Sequence, residues 1–131
     1  MVEIHAYSKA ASGGKQLSAH FKVREFACGD GSDAVLVAPR LVMVLETIRA
    51  HFGTAVKINS GYRTPQYNAK VGGVAHSQHC YGTAADISVS GQKPETVAAF
   101  ARTLMPDWGG VGGYDSFCHI DVREAKADWA G

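Results

Sequence analysis

Apolar residues recur at helical spacing in two long windows of the chain and alternate at strand spacing in four shorter ones. The first helical window opens with Pro39, suited to a first turn. It carries Leu41, Val44, Leu45, Ile48 and Phe52 on one stripe and stops at Gly53. The second runs from Pro94 to Leu104, with Val97, Ala98, Phe100, Ala101 and Leu104 as its buried side. Between them, Ala55 to Asn59 alternates as a strand with Val56 and Ile58 inward. Ser60-Gly-Tyr-Arg63 turns out of that strand, and Thr64-Pro65 caps a short helix through Lys70. Ala84 to Val89 puts Ile87 and Val89 on one face and Asp86 and Ser88 on the other. After the Trp108-Gly-Gly turn, Val111–Tyr114 and Phe117–Val122 read as two closing strands arranged as a hairpin. Upstream, Leu17, Phe21, Val23 and Phe26 mark short packing elements, and Cys28 to Asp33 is a loop by composition. Residues 1–16, with the Ser12-Gly13-Gly14 turn, read as an N-terminal extension or flexible arm. This order predicts a single α+β domain over 1–131, a small antiparallel sheet with flanking helices.

Composition narrows the function classes. The chain has 131 residues, 46% apolar and 19% charged, ordinary values for a globular domain. Its 13 basic and 12 acidic residues give a net charge of +1, without a Lys/Arg run, so no nucleic acid partner is expected. No window is long and apolar enough for a membrane span, and the start Met-Val-Glu-Ile-His lacks the features of a secretory leader. A cytoplasmic location is expected on that ground, with action on an external target requiring release or assisted export. The three cysteines form no disulfide framework. Nothing in the sequence specifies an oligomeric state.

The chemistry concentrates late in the chain. His79 precedes Asp86 by seven positions, and His119 follows in a predicted strand. Two imidazoles and a carboxylate form a ligand set for Zn2+ that leaves a position open for water. Strand parity puts His119 and Asp121 on one face and Cys118, Ile120 and Val122 on the other. If the two strands pair, Asp86 and His119 project from the same face. His79 then reaches them from the preceding loop, with Gly82 allowing a tight return. The spacing is weakly specific by itself, because buried histidines are commonly hydrogen-bonded core.

The segment Ser77-x-His79-x-x-Gly82-x-Ala84-x-Asp86 matches the SxHxxGxAxD signature of the zinc D-Ala-D-Ala carboxypeptidase family, which includes phage endolysins. Ser60-Gly-Tyr-Arg63 upstream and Cys118-His119-Ile-Asp121 downstream also resemble that family, and the likeness runs from about Phe21 to about Arg123. The resemblance implies a hedgehog/D-Ala-D-Ala peptidase-like fold and His79, Asp86 and His119 as zinc ligands. It implies Arg63 as the group that holds substrate and steadies the oxyanion. The implied reaction is hydrolysis of an amide bond in a peptidoglycan stem peptide, by a carboxypeptidase or an L-Ala-D-Glu endopeptidase of phage or prophage type. Arg24, Lys57 and Arg123 are the cations whose placement would separate those two activities.

Other positions carry competing readings. Several branches of the family place an acid three residues before the last zinc histidine, where this chain has Ser116. Asp115 is the alternative general base, or else a solvated turn residue. Tyr114 is an oxyanion donor or a packing residue. Asp121 orients a ligand imidazole, pairs with Arg63, or caps a strand end. His76 lines the cleft or lies exposed, and Ser77 braces the His79 loop. Cys80 and Cys118 raise a thiol mechanism, but neighbours on a strand point apart, so Cys118 reads as core and Cys80 as packed. The rival to an enzyme is a non-catalytic, zinc-containing cell-wall-binding module of the same fold, favoured by Ser116 in place of the acid.

Overall fold

A pleated sheet with two chemically opposite faces organises the chain in the computed structural model, which describes residues 2–130. In chain order the strands are β1 (His5–Ser8), β2 (Ala34–Val37), β3 (Val56–Ser60), β4 (Ala84–Val89), β5 (Gly110–Gly113), β6 (Cys118–Asp121) and β7 (Ala127–Ala130). The helices are α1 (Lys9–Ser12), α2 (Pro39–Phe52), α3 (Pro65–Lys70) and α4 (Pro94–Leu104). The main sheet has five strands in the order β3-β4-β6-β5-β7. Its neighbours are antiparallel except β5 and β7, which run parallel.

Alternation along β4, β5 and β6 sends Ala85, Ile87, Val89, Val111, Cys118 and Ile120 to one face, where all are buried. Leu41, Leu45 and Ile48 of α2, with Val97, Ala98 and Ala101 of α4, close over that face in a common core. Helix α2 ends where Gly53 takes φ 64°, a left-handed residue that stops the helix without steric cost. Thr64 caps α3 by accepting a hydrogen bond from the Tyr67 amide, with Pro65 in the first turn. The opposite sheet face carries Asp86, His119 and Asp121.

Two parts of the architecture depart from the sequence reading. Residues 1–16, expected as an extension or flexible arm, contain β1 and α1, and β1 pairs antiparallel with β2 from His5↔Val37 to Ser8↔Ala34. Asp33 fixes α1 from outside by accepting from the Ala10 amide at 2.8 Å and the Ser8 hydroxyl at 2.7 Å. The two strands of this ribbon are distant in the chain, so no local periodicity reveals their pairing. The second departure is β7, since the chain was expected to end on a hairpin.

Two contacts place the loops that carry the site. Phe21, Val23 and Phe26 are almost fully buried, and the Phe26 carbonyl accepts from the Tyr62 amide at 2.9 Å, which anchors the turn leading to Arg63. The other is the approach of Gly82 to β2. Gly82 has φ 76°, and a Cβ there would lie 2.6 Å from the Leu36 carbonyl, while its own carbonyl accepts from the Ala38 amide at 2.8 Å. Gly82→Ala combines a left-handed conformation with a backbone clash and is expected to cost roughly 2–4 kcal/mol. Urea unfolding measures this; a loss below about 0.5 kcal/mol would mean that the contact relaxes freely.

Candidate metal centre and cleft

Sheet register brings the site together. Asp86 and His119 are direct cross-strand partners, and the same row continues to Ser60 on β3, Gly112 on β5 and Trp129 on β7. His79 enters from a single 3-10 turn, Gln78–Tyr81. Ser77 caps that turn, its hydroxyl accepting from the His79 amide at 3.2 Å. One ligand atom each from His79, Asp86 and His119 lies within 4.8 Å of the others, and all three residues are buried. Among the described residues this is the one group of His, Cys, Asp or Glu side chains with that geometry.

The ring nitrogens pointing away from the centre are committed. The His79 Nδ1–H donates to the Gly61 carbonyl at 2.7 Å, which leaves the Nε2 lone pair facing Asp86 Oδ1 at 3.3 Å. The His119 Nε2–H donates to Asp121 Oδ2 at 2.8 Å, which turns Nδ1 toward Asp86 Oδ1 at 3.0 Å. A carbonyl and a carboxylate only accept, so each partner fixes which nitrogen carries hydrogen. The donor set of two imidazole nitrogens and one carboxylate oxygen, each oriented from behind, fits Zn2+.

Electrostatics follows from the same contacts. Burial alone would raise the Asp86 carboxyl, but hydrogen bonds and charge from His119 and His79 outweigh it and hold it well below the usual carboxylate range. For His119, burial opposes protonation, while Asp121 and Asp86 on its two sides favour it more strongly and raise its pKa above the ordinary 6.5. Asp121 also has burial working against its charge. Arg123 and His119 overcome that and bring it to about 2.

The three donors sit in a cleft of about 760 Å³. Arg63 lines it, with Nε donating to Ser60 Oγ at 3.0 Å, Nη1 to Asn68 Oδ1 at 3.3 Å and Nη2 to Asp86 Oδ2 at 3.3 Å. Ser77 and Tyr114 also line it. His76 does too, in a left-handed conformation with φ 58° that is uncommon for a residue bearing a Cβ. Asp121 sits behind His119 and pairs with Arg123 rather than Arg63. The Cys118 thiol is pushed up to about 12, chiefly by burial, and burial also raises Cys80. Thiolate chemistry is thereby disfavoured.

Asp115, for which the sequence leaves a general base and a solvated turn residue both open, does not line the cleft. The Tyr114 amide donates to the Phe117 carbonyl at 2.9 Å, closing a turn in which the Tyr114 and Phe117 rings stack at 4.5 Å. Both rings line the cleft, whereas Asp115 and Ser116 border a separate pocket with Gln92 and Pro94. Alternation at the end of the hairpin therefore sends the acid away from the donors. Among the described residues Asp86 is the one carboxylate lining the cleft.

Two participants were invisible in the sequence. Asn68, buried in α3, accepts from Arg63 and donates to the Val74 carbonyl at 2.8 Å, tying the Val71–Val74 rim to the guanidinium. Trp129 lies with its ring centroid 5.1 Å from that of His119, and its Nε1 donates to the Tyr114 hydroxyl at 2.9 Å. The Trp129 ring lies over Gly112, where a Cβ would come within 2.2 Å of Nε1. The alternation in Ala127-Asp-Trp-Ala130 was the available signal, but its pairing with β5 was not.

A buried His-Asp-His triplet lining an open cleft, carried by the polar face of the sheet, is a candidate metal centre. The family model for Peptidase M15 matches residues 13–121, and the chain belongs to that family, the zinc D-Ala-D-Ala carboxypeptidases. The fold is consistent with its hedgehog-like architecture. No curated protein matches the chain.

The raised pKa of His119 has a measurable consequence. Without metal the ring stays protonated between two carboxylates to a pH above 6.5, so an incoming cation must displace that proton. Zinc affinity is expected to fall as pH drops through the raised value, by up to about tenfold per pH unit for the proton displaced. Conversely, the His119 contribution to metal-free stability is full below its unfolded pKa and is lost as pH rises through the folded one. Competition titrations with a zinc indicator between pH 6 and 9 test this; a flat affinity across that range would contradict it.

Proposed function

We propose that this protein is a zinc metallopeptidase that hydrolyses an amide bond in peptidoglycan stem peptides, with His79, Asp86 and His119 as the metal ligands. The observation that carries the reading is the convergence of three donor atoms within 4.8 Å at the floor of the cleft. Zinc, when bound, supplies a Lewis acid that polarises the scissile carbonyl and makes water nucleophilic near neutral pH. The chain's own residues do the rest. Gly61 and Asp121 hold the two imidazoles in the ligating tautomers. Arg63, braced by Ser60 and Asn68, presents positive charge where an oxyanion develops. The Val71–Val74 rim on one side and Tyr114, Phe117 and Trp129 on the other form walls that position an extended peptide.

The family membership and the cationic side chains in the cleft support a cell-wall peptide as substrate. A lysin of phage or prophage origin, acting on the wall after release, accords with the same reading. The absence of Asp115 from the cleft lining and the residue Ser116 favour a second reading, a zinc-containing wall-binding module without turnover, because among the described residues the cleft lining offers no carboxylate besides the ligand candidate Asp86.

Mass spectrometry of intact peptidoglycan incubated with zinc-loaded protein separates the two. Released fragments that disappear with a chelator and return with zinc are expected; wall binding without any fragment would leave the module reading. Asp86→Ala should weaken zinc by more than about 100-fold and abolish cleavage. Asp115→Asn should leave the rate within about twofold of wild type; a drop of about 100-fold would return Asp115 to the reaction as its base.

A further inference from the structure

Of the large apolar side chains left exposed, Val71, Val74 and Tyr114 line the cleft, while Met43 stands on the outer side of α2 at 63% exposure. Helix α2 turns Leu41, Leu45 and Ile48 into the core, and Met43 lies about 180° around the helix from that stripe. A hollow opens on either side of it. One, of about 330 Å³, is walled by Tyr7, Leu17, Val37 and Val42 and includes Glu46. The other, of about 380 Å³, is walled by Val44, Thr47, Leu104 and Trp108 and includes Arg40. Met43 lines both, so a protruding methionine joins two apolar depressions across one helix.

The charges are arranged about the same residue. Arg40 precedes Met43 by three positions and Glu46 follows it by three, which puts them one step down and one step up the helix on opposite flanks. Arg40 lies over the Trp108 ring, its guanidinium carbon 5.2 Å from the centroid, and makes no hydrogen bond or ion pair among the described residues. Its donors are therefore open. Glu46 accepts from the Ser18 hydroxyl and the His20 amide at Oε2 and from His20 Nδ1 at Oε1. Oε1 keeps a lone pair for a further donor.

Such a surface is complementary to itself. A two-fold axis beside Met43 lays the two α2 helices against each other and seats each methionine in the Trp108 hollow of the other copy. It also sets each Arg40 against the other copy's Glu46. Methionine suits this role because its unbranched thioether adapts to an irregular hollow. The two hollows carry one permanent charge of each sign, which favours a second copy over a strongly charged partner. A net charge of +1 leaves two copies with little mutual repulsion.

We propose that the outer face of α2 is a homodimer interface centred on Met43, with Arg40 and Glu46 paired between copies. The metal donors lie on the opposite face of the sheet, so pairing leaves both clefts open and turned outward. That arrangement suits a polymer with repeated sites.

The test is sedimentation velocity of the full chain over a range of concentrations. Wild type is expected to pass from monomer to dimer with a Kd of about 10–100 µM, as a small interface gives. Met43→Glu, at a position open to water, should keep the wild-type circular dichroism and weaken the dimer by more than about 10-fold. Arg40→Glu and Glu46→Arg should each weaken it by about 10-fold through like-charge contacts. Mixing those two variants restores both pairs, so a mixed dimer should form to within about threefold of wild type. If the Glu46→Arg chain does not fold, Met43→Glu and Arg40→Glu decide alone. Wild type monomeric throughout would overturn the interface. So would a dimer that either Met43→Glu or Arg40→Glu leaves intact, or a mixture of folded variants that recovers nothing.

Discussion

The site depends on one constraint, the cross-strand pairing of Asp86 with His119. A slip of one residue in either strand would turn its polar side chain into the core and bring Ile87, Cys118 or Ile120 to the cleft. The register is held from the apolar side, where Ile87, Ile120 and Val111 are buried under α2 and α4. Core packing and metal geometry are thus specified by the same alternation. The helices need no contact with the ligands to fix them.

That pairing concentrates charge in a buried place. Asp86 and Asp121 lie on two sides of His119, and Arg63 and Arg123 lie behind the two carboxylates. Burial opposes ionisation of all three groups for which a shift is resolved at the centre. Mutual hydrogen bonding overcomes this, and among the described residues no buried side-chain nitrogen or oxygen is left without a partner. In a polar cluster satisfied in this way each buried carboxylate and the His119 ring have more than one partner, so several contacts fix each side chain at once. The preorganisation a metal centre requires is therefore present in the protein framework itself.

The sequence revealed those parts of the design that are local. Helices α2 and α4 carry their stripes and stops within one window, and the ligand parity of β4 and β6 is a period-two pattern. The segment from Ser77 to Asp86 holds two of the three donors, the capping hydroxyl and the glycine that lets the turn pass beside β2. What stayed hidden depends on pairing between distant segments. The β1–β2 ribbon joins stretches with no joint signature. Trp129 reaches His119 because β7 adds parallel to β5, beyond the end of the recognised likeness. For Asp115 the sequence left a base and a solvated turn residue open, because the geometry of the hairpin end, where Tyr114 and Phe117 take the cleft side and Asp115 does not line it, is written in no local pattern.

Strand β5 shows how a nearly featureless sequence can shape such a site. Gly110-Val-Gly-Gly113 offers one side chain, and that one goes to the core. On the cleft side, Gly112 leaves the volume that the Trp129 indole fills and Gly110 leaves the volume beside Asp121, where a Cβ would come within 2.2 Å of Oδ2. Alanine at either position would push the indole off the His119 wall or the carboxylate out of its fork with Arg123. Both the aromatic wall and the anchored cation therefore depend on side chains that are absent. The strand contributes to function by the space it leaves, and composition alone would have marked it as a turn.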